Sequence, residues 1–153
     1  MRETDARIKF ISDDDVAGAV MAANENTDVD LLLGIDGTPK NIIAACAVKC
    51  LGGVIQARLW PQKKQEFERA AEAGLDLGAI LSTNDLVSSD NVFFVATGIT
   101  DGELVRGVRY RGGGASTESL VMRSKSGTIR RVISEHRLTK LAAYATIDFS
   151  QPR

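Results

Sequence analysis

The chain has 153 residues, of which 44% are hydrophobic and 25% are charged, and its formal net charge is −1. This length and composition predict one soluble globular domain, over residues 1–153, with a real hydrophobic core. The charge balance gives no basic footprint for nucleic acid or an anionic membrane, and no apolar run has the length of a transmembrane helix. The charged start MRETDARIKF lacks the apolar segment of a signal peptide, so we expect a cytoplasmic protein.

The first two thirds of the chain alternate between predicted strands and predicted helices. Apolar runs predict strands at residues 7–11, 28–35 and 54–60. Helices are predicted to begin at Val16, at Thr38 and after Pro61. The helix at Thr38 has the clearest signals, because Thr38 suits the N-cap, Pro39 suits the first helical position and Gly52 with Gly53 ends the apolar face. This order predicts a sheet covered by helices.

The last third of the chain reads as antiparallel hairpins. Four apolar or alternating runs predict strands at residues 91–99, 104–110, 118–124 and 128–138. The glycine-rich stretch RGGGAST between the second and third of them predicts a flexible loop. The predicted fold class is therefore α/β, with one mixed β-sheet flanked by helices, parallel βα units first and antiparallel hairpins last.

The two cysteines give no sign of a disulfide or a zinc site. Cys46 and Cys50 lie four residues apart on one face of a predicted helix, where disulfide geometry is poor. A zinc site needs two more ligands, and the only histidine, His136, is distant in sequence. We interpret both residues as thiols in the core of a cytosolic protein.

Two stretches that join a strand to a helix could carry chemistry. In SDDDVAG, Asp13, Asp14 and Asp15 could bind sugar hydroxyls or a metal, or could simply cap a helix. In GIDGTPKN, the turn around Gly37 could present backbone N–H groups to a phosphate, aided by the ammonium of Lys40, or could be a plain connection. The residues alone favour the structural alternative in both stretches.

The remaining polar residues carry weaker signals. A solvated hairpin face is the favoured interpretation of the basic residues Arg123, Lys125, Arg130 and Arg131. His136 has no serine or cysteine nucleophile motif near it. Turn contexts account for Asp85, Asp90 and Asp101.

Four longer stretches resemble the class II fructose-1,6-bisphosphatases. They are IKFISDDDVAGAVMAA, DLLLGIDGTPKNIIAACAVKCLGGVIQARLWP, NDLVSSDNVFFVATGITDGELVRGVRYR and ESLVMRSKSGTIRRVISEHRL, in the family's order and with similar spacing. This family belongs to the lithium-sensitive sugar phosphatases, whose fold is a layered α/β arrangement of two halves with the site between them. Only the second, C-terminal half is matched here.

The resemblance implies a reaction and its cofactors. Family members use Mg²⁺ or Mn²⁺ to activate the water that attacks the 1-phosphate of fructose 1,6-bisphosphate, because two metals lower the pKa of that water and neutralise the phosphoryl charge. The family's first half, which holds most of the metal ligands, has no counterpart in this chain. Catalysis is therefore expected to need a separate N-terminal half, and no catalytic residue is predicted within the chain.

The resemblance also assigns individual positions. The family's Asp-Gly-Asp-Val motif, which contacts the substrate, matches Asp13, Asp14 and Asp15, with Asp14 in place of the glycine. Its Gly-Ile-Gly-Gly-x-Pro-Glu-Gly turn matches GIDGTPKN, so that Gly37 falls at a substrate-binding glycine. Substrate-binding residues are therefore expected at Asp13, Asp14, Asp15 and Gly37.

The same turn departs from the family at its metal ligand. Lys40 falls at the family's metal-binding glutamate, and an ammonium group cannot ligate a hard cation. Asn41 replaces the following glycine and Asp36 the earlier one, which makes Asp36 a weak substitute ligand. The chain alone is thus expected to be either an inactive part of a fructose-1,6-bisphosphatase or a non-catalytic sugar-phosphate-binding or regulatory remnant. We also expect it to form a homo-oligomer or to bind a separate N-terminal half.

Overall fold

The fold is taken from a computed structural model, which describes residues 5–11 and 15–143. The chain divides into two compact units, Met1–Ser89 and Asp90–Arg153. Each unit is described by itself. Within the described residues, no helix is long and apolar enough to cross a membrane.

Helices and short strands alternate in the first unit. Its elements are α1 (Asp15–Ala22), α2 (Thr38–Leu51), β1 (Gln56–Ala57), α3 (Lys64–Glu72), β2 (Leu81–Ser82) and α4 (Thr83–Leu86). The second unit is mainly strands: β3 (Phe93–Thr97), β4 (Arg109–Arg111), β5 (Gly114–Arg123), β6 (Thr128–Arg137) and the short helix α5 (Leu138–Leu141). The predicted α/β class is confirmed.

Small side chains form the core of the first unit, where α1 lies against α2. The buried residues on these two helices are Ala17, Ala19, Val20, Met21, Ala44, Ala45, Ala47, Val48 and Cys50. Gly18 on α1 leaves room for two side chains from outside these helices, because a Cβ there would lie 2.9 Å from Cδ1 of Ile11 and 3.2 Å from Cδ1 of Leu32. Both cysteines are free thiols, and the predicted burial holds for Cys50, whereas Cys46 is only partly buried.

Helix α2 begins one position earlier than predicted and ends as predicted. Gly37 is its N-cap, with φ −67° and ψ 144°, so Thr38 is the first helical residue rather than the cap. Gly52 ends the helix with φ 75°. The N–H of Gly52 donates to the carbonyl of Lys49 at 3.3 Å and that of Gly53 to the carbonyl of Val48 at 3.0 Å, which is a Schellman motif.

The strands expected in the first half are shorter than predicted or are not formed. Residues 7–11 and 28–35 form no strand among the described residues, and only Gln56–Ala57 of the run 54–60 pairs, antiparallel, with Leu81–Ser82. All four strand registers among the described residues are antiparallel, so the parallel pairing expected for the first half is absent there. A parallel strand needs a hydrogen-bonded neighbour, and none of the described residues supplies one to residues 28–35.

A four-stranded antiparallel sheet forms the second unit, with β5 at its centre. Strand β6 pairs with one edge of β5, while β3 and β4 pair with the other edge. The antiparallel pairing predicted for the last third is confirmed, and β4–β5 and β5–β6 are hairpins. Among the described residues, β3 and β4 each pair with β5 rather than with each other, and β4 is shorter than the predicted strand at residues 104–110. The stretch predicted as a flexible loop is instead a tight β4–β5 turn at Gly112 and Gly113, whose φ angles of 42° and 84° favour glycine. One face of the sheet holds the buried residues Phe94, Leu120 and Met122.

Candidate functional site

The acidic stretch lies mostly outside the described residues. Asp13 and Asp14 belong to the undescribed residues, and Asp15 is the first residue of α1 with its side chain likewise undescribed. The expected substrate contacts of these three carboxylates therefore stay a prediction.

The turn that precedes α2 is held together by Asp36. The Gly37 N–H donates to Oδ1 of Asp36 at 2.7 Å, and the Asn41 side-chain amide donates to the Asp36 carbonyl at 3.2 Å. The Lys40 ammonium lies 3.5 Å from Oδ2 of the same carboxylate. Sequence reasoning placed these residues in one turn, and the structure adds that Asp36 and Lys40 form an ion pair across it.

The first backbone donors of α2 are largely used within the helix itself. The N–H groups of Lys40 and Asn41 donate to the Gly37 carbonyl at 3.1 Å and 3.2 Å. Pro39 carries no N–H. The N–H groups of Lys40 and Asn41 are therefore not among the backbone donors that the turn around Gly37 could present to a phosphate. The N–H of Thr38 and the ammonium of Lys40 are the groups at this helix start that can meet an anion.

The backbone conformation of Gly37 does not require glycine. Its φ of −67° is open to any residue. A Cβ at this position would have only ordinary contact, 3.8 Å from Cδ of Pro39. The space left by the missing side chain, rather than backbone strain, is thus what Gly37 offers to a ligand.

The charges of this turn do not fit a divalent cation. Lys40 is 56% exposed and Asp36 is 17% exposed, so the pair lies partly shielded from water. The ammonium offers three donors and no acceptor, and it neutralises the one carboxylate that could ligate a metal. In the described part of the chain, no group of three histidine, cysteine, aspartate or glutamate side chains is placed to hold a metal ion. The described residues of this turn do not fit the Mg²⁺ or Mn²⁺ that the family resemblance implies.

The basic residues of the β5–β6 hairpin do not form one patch. Arg123 lies 4.9 Å from the ring centre of Phe93 and donates to Oδ1 of Asn91 at 2.9 Å. Arg130 and Arg131 are adjacent on β6 and so point to opposite faces of the sheet. His136 shares a hydrogen bond of 2.9 Å with Thr117. These contacts favour the interpretation of a solvated hairpin.

The turn aspartates have structural partners. Oδ1 of Asp101 accepts from the Gly107 N–H at 3.0 Å, and both carboxylate oxygens accept from Arg109 at 2.8–2.9 Å. The Gly107 N–H, followed by the charge of Arg109, lowers the pKa of Asp101 below its ordinary value. Asp85 accepts from the hydroxyl and N–H of Ser82, which likewise lowers its pKa. Both residues stabilise turns.

A shielded carboxylate that sequence reasoning missed anchors the loop of residues 98–108. Glu118 on β5 is 13% exposed and lies 3.0 Å from Nη1 of Arg131 and 3.8 Å from Nε of Arg106. Arg131 also donates to the Leu104 carbonyl at 2.6 Å. Glu118, Arg106 and Arg131 form a charged cluster whose members are far apart in sequence. The alternation of side chains along β5 and the many arginines in this part of the sequence are the only signals that could have indicated it.

Comparisons with known proteins place the chain in one family. The family model for bacterial fructose-1,6-bisphosphatase, glpX-encoded, matches residues 1–136. The class 2 fructose-1,6-bisphosphatase of Haemophilus influenzae is 41% identical over 149 residues, which cover 89% of this chain and 45% of that protein. Fructose-1,6-bisphosphatase 1 class 2 of Escherichia coli is 35% identical over 153 residues, covering 92% of this chain and 46% of that protein.

A third relative is named for two activities. The D-fructose 1,6-bisphosphatase class 2/sedoheptulose 1,7-bisphosphatase of a Synechococcus species is 39% identical over 149 residues, covering 89% of this chain and 43% of that protein. The chain spans less than half the length of each of these three relatives. Because the family model matches most of its residues, the chain belongs to the bacterial, glpX-encoded fructose-1,6-bisphosphatase family.

Proposed function

We propose that the chain supplies the sugar-phosphate-binding part of a class 2 fructose-1,6-bisphosphatase, which hydrolyses fructose 1,6-bisphosphate to fructose 6-phosphate and phosphate in gluconeogenesis. The observation that carries this proposal is the family match, which runs over residues 1–136 and includes the turn at the start of α2. In this proposal the chain corresponds to the C-terminal half of the family's fold and acts in the cytoplasm.

Two sets of residues would hold the sugar phosphate. The positive end of the α2 dipole and the Thr38 N–H suit a phosphate oxygen at the open side of Gly37. The ammonium of Lys40 is more than half exposed and can turn from Asp36 to the same anion. Asp13, Asp14 and Asp15 are proposed to accept hydrogen bonds from the sugar hydroxyls, as the family motif implies.

We further propose that the chain does not hydrolyse the bisphosphate by itself. The Lys40–Asp36 ion pair supports this, because it stands where the family places a metal-binding carboxylate. The Mg²⁺ or Mn²⁺ of the family would instead be held by the remaining part of the fold. No step through a metal is assigned to the residues of this chain.

Calorimetric titration tests the binding. Fructose 1,6-bisphosphate is expected to bind saturably to the chain combined with the part of the Haemophilus influenzae relative that it does not match. Fructose without phosphate is the control and is expected to give no saturable heat, because it lacks the anion. Equal heats for the two sugars, or none for the bisphosphate, would contradict the proposal.

The alternative is a non-catalytic sugar-phosphate-binding or regulatory protein, and Lys40 is the observation that favours it. The two functions differ in one measurement. Saturable binding of the bisphosphate without release of inorganic phosphate, in the presence of the complementary part and Mg²⁺ or Mn²⁺, supports the alternative. Binding with release supports the enzyme.

A further inference from the structure

Two aspartate–glycine pairs occur in the sequence, at Asp36–Gly37 and at Asp101–Gly102. In such a pair the backbone nitrogen of the glycine can attack the side-chain carboxyl carbon of the aspartate, because glycine has no Cβ to hinder the approach. The product is a cyclic succinimide, which water opens to aspartate or to isoaspartate. The two pairs share this local chemistry but differ in the groups that surround the carboxylate and the nitrogen.

At Asp36 the nitrogen and the carboxyl group face one another. The Gly37 N–H donates to Oδ1 of Asp36 at 2.7 Å, and because Cγ is bonded to Oδ1, the nitrogen lies beside the carbon that it would attack. Reacting groups held this close need little further ordering. Gly37 is also the N-cap of α2, where the positive end of the helix dipole stabilises the negative charge that develops as the nitrogen adds to Cγ.

At Asp101 the same two groups are held by other partners. Oδ1 accepts from the Gly107 N–H at 3.0 Å, and both carboxylate oxygens accept from the Arg109 guanidinium at 2.8–2.9 Å. The Gly102 N–H donates instead to the carbonyl of Val105 at 3.1 Å. Ring closure there must first break a charge-assisted pair and turn the nitrogen away from its acceptor.

We propose that the Asp36–Gly37 bond is a site of spontaneous conversion to isoaspartate, whereas the fold protects the Asp101–Gly102 bond. In the first step a bond forms between the Gly37 nitrogen and Cγ of Asp36. One carboxyl oxygen leaves as water, together with the proton of the N–H and a proton from the solvent.

In the second step water opens the ring. Breaking the new bond between the nitrogen and Cγ restores aspartate. Breaking the original bond between the nitrogen and the main-chain carbonyl carbon gives isoaspartate. In either case the nitrogen regains a proton and the released carboxylate returns one to the solvent, so the conversion needs water alone and no oxidant or reductant.

Isoaspartate changes the turn before α2. The main chain then runs through Cβ and Cγ of Asp36, which adds one carbon ahead of Gly37. The main-chain carbonyl of Asp36, which accepts from the Asn41 side-chain amide at 3.2 Å, becomes the free carboxylate. The carboxyl group that pairs with Lys40 becomes part of the main chain, so the i,i+4 ion pair is lost. The inference is independent of the proposed function, because it concerns the chemistry of one peptide bond.

Peptide mapping of the aged protein tests the proposal. The full chain is incubated at neutral pH, below its Tm, in water enriched in heavy oxygen, which labels every carboxylate that has passed through a succinimide. Isoaspartate is located by fragment-ion mass spectrometry and by the resistance of its peptide bond to the protease that cleaves before aspartate. Isoaspartate is expected to accumulate at position 36 at least about tenfold faster than at position 101.

Two controls separate the fold from the local sequence. Gly37→Ala is expected to slow the conversion at position 36 about tenfold or more, because its Cβ hinders the attack, while position 101 keeps its rate. This variant should fold normally, since the φ of Gly37 is −67° and the added Cβ would lie 3.8 Å from Cδ of Pro39. In urea both carboxylates lose their partners, and the two wild-type rates are expected to agree within about threefold.

Accumulation at position 36 that is equal to or slower than that at position 101 in the folded chain overturns the proposal. So does a folded chain that gains no heavy oxygen at position 36 over a period in which the chain in urea does. A difference that persists undiminished in urea also overturns it, because the neighbouring residues rather than the fold would then set the rates. An unchanged rate in Gly37→Ala would show that the glycine nitrogen is not the attacking group.

Discussion

Replacing Lys40 with glutamate tests whether the lysine is what keeps a divalent cation away from the turn before α2. The change removes the i,i+4 ion pair between Lys40 and Asp36, which is worth about 0.3–0.5 kcal/mol. It also places two carboxylates at the same spacing, and the repulsion between them costs a similar amount of free energy. The negative charge gains about 0.3–1 kcal/mol from the positive end of the helix dipole. These terms nearly cancel, so the free energy of unfolding is expected to change by less than about 0.5 kcal/mol without metal.

The response to metal is where the variant should differ. Two carboxylates on one helix start can share a divalent cation, and a ligand at ten times its Kd stabilises the folded state by about 1.4 kcal/mol. For a chain of this length, that raises the Tm by roughly 3–6 °C. The assay is thermal unfolding, followed by circular dichroism, over a titration with MnCl₂ and MgCl₂.

Two controls make the result decisive. Lys40→Gln removes the cation without adding a carboxylate, so it is expected to show no metal response. The wild type is also expected to show none. A wild-type Tm that rises with Mn²⁺ as much as that of Lys40→Glu, or a Lys40→Glu variant that ignores both ions, would refute the reasoning.

Three other predictions concern the second unit and can be checked by urea unfolding. Gly98→Ala is expected to cost at least about 2–3 kcal/mol, because its Cβ would overlap the carbonyl of Arg106. Gly102→Ala should cost less than about 1 kcal/mol, because its Cβ would make only an ordinary contact, 3.8 Å from the Val105 carbonyl oxygen; similar losses would contradict the structure. Glu118→Gln should cost about 1–2 kcal/mol, because it removes the charge of the shielded carboxylate that Arg131 and Arg106 share. Glu68→Gln, in an exposed pair, should cost less than about 0.5 kcal/mol, and equal effects would deny Glu118 this role. The pKa of Asp101 is lowered, so its stabilising effect is complete above its ordinary pKa of 3.8 and is lost as the pH falls through the lower pKa of the folded state. Asp101→Asn should therefore reduce the loss of unfolding free energy at acid pH, and an unchanged loss would refute this.

Local signals in the sequence predicted the parts of the fold that depend on neighbouring residues. The end of α2 follows from Gly52 and Gly53, and the β5–β6 hairpin follows from alternating residues on either side of a turn. The β4–β5 turn differs from the flexible loop that the sequence predicts, because Gly112 and Gly113 both take a positive φ, as a two-residue hairpin turn requires. The i,i+4 spacing of Asp36 and Lys40 could also have predicted their ion pair.

Features that depend on distant partners could not be predicted in this way. Glu118 meets Arg131 and the loop of residues 98–108 only because the register of β5 and β6 brings them together. The apolar run at residues 28–35 is typical of a covered parallel strand, but strand formation also needs a hydrogen-bonded neighbour, which the described residues do not supply. The sequence pattern indicates that a segment can form a strand, and not which segment it pairs with.

Phosphate release from fructose 1,6-bisphosphate tests the central claim most directly. The chain alone, with Mg²⁺ or Mn²⁺, is expected to release no phosphate above the buffer control. The chain combined with the part of the Haemophilus influenzae relative that it does not match is expected to turn over on the order of 1 s⁻¹ or faster. Release by the chain alone at that rate, or a saturated complex that releases none, would contradict the account.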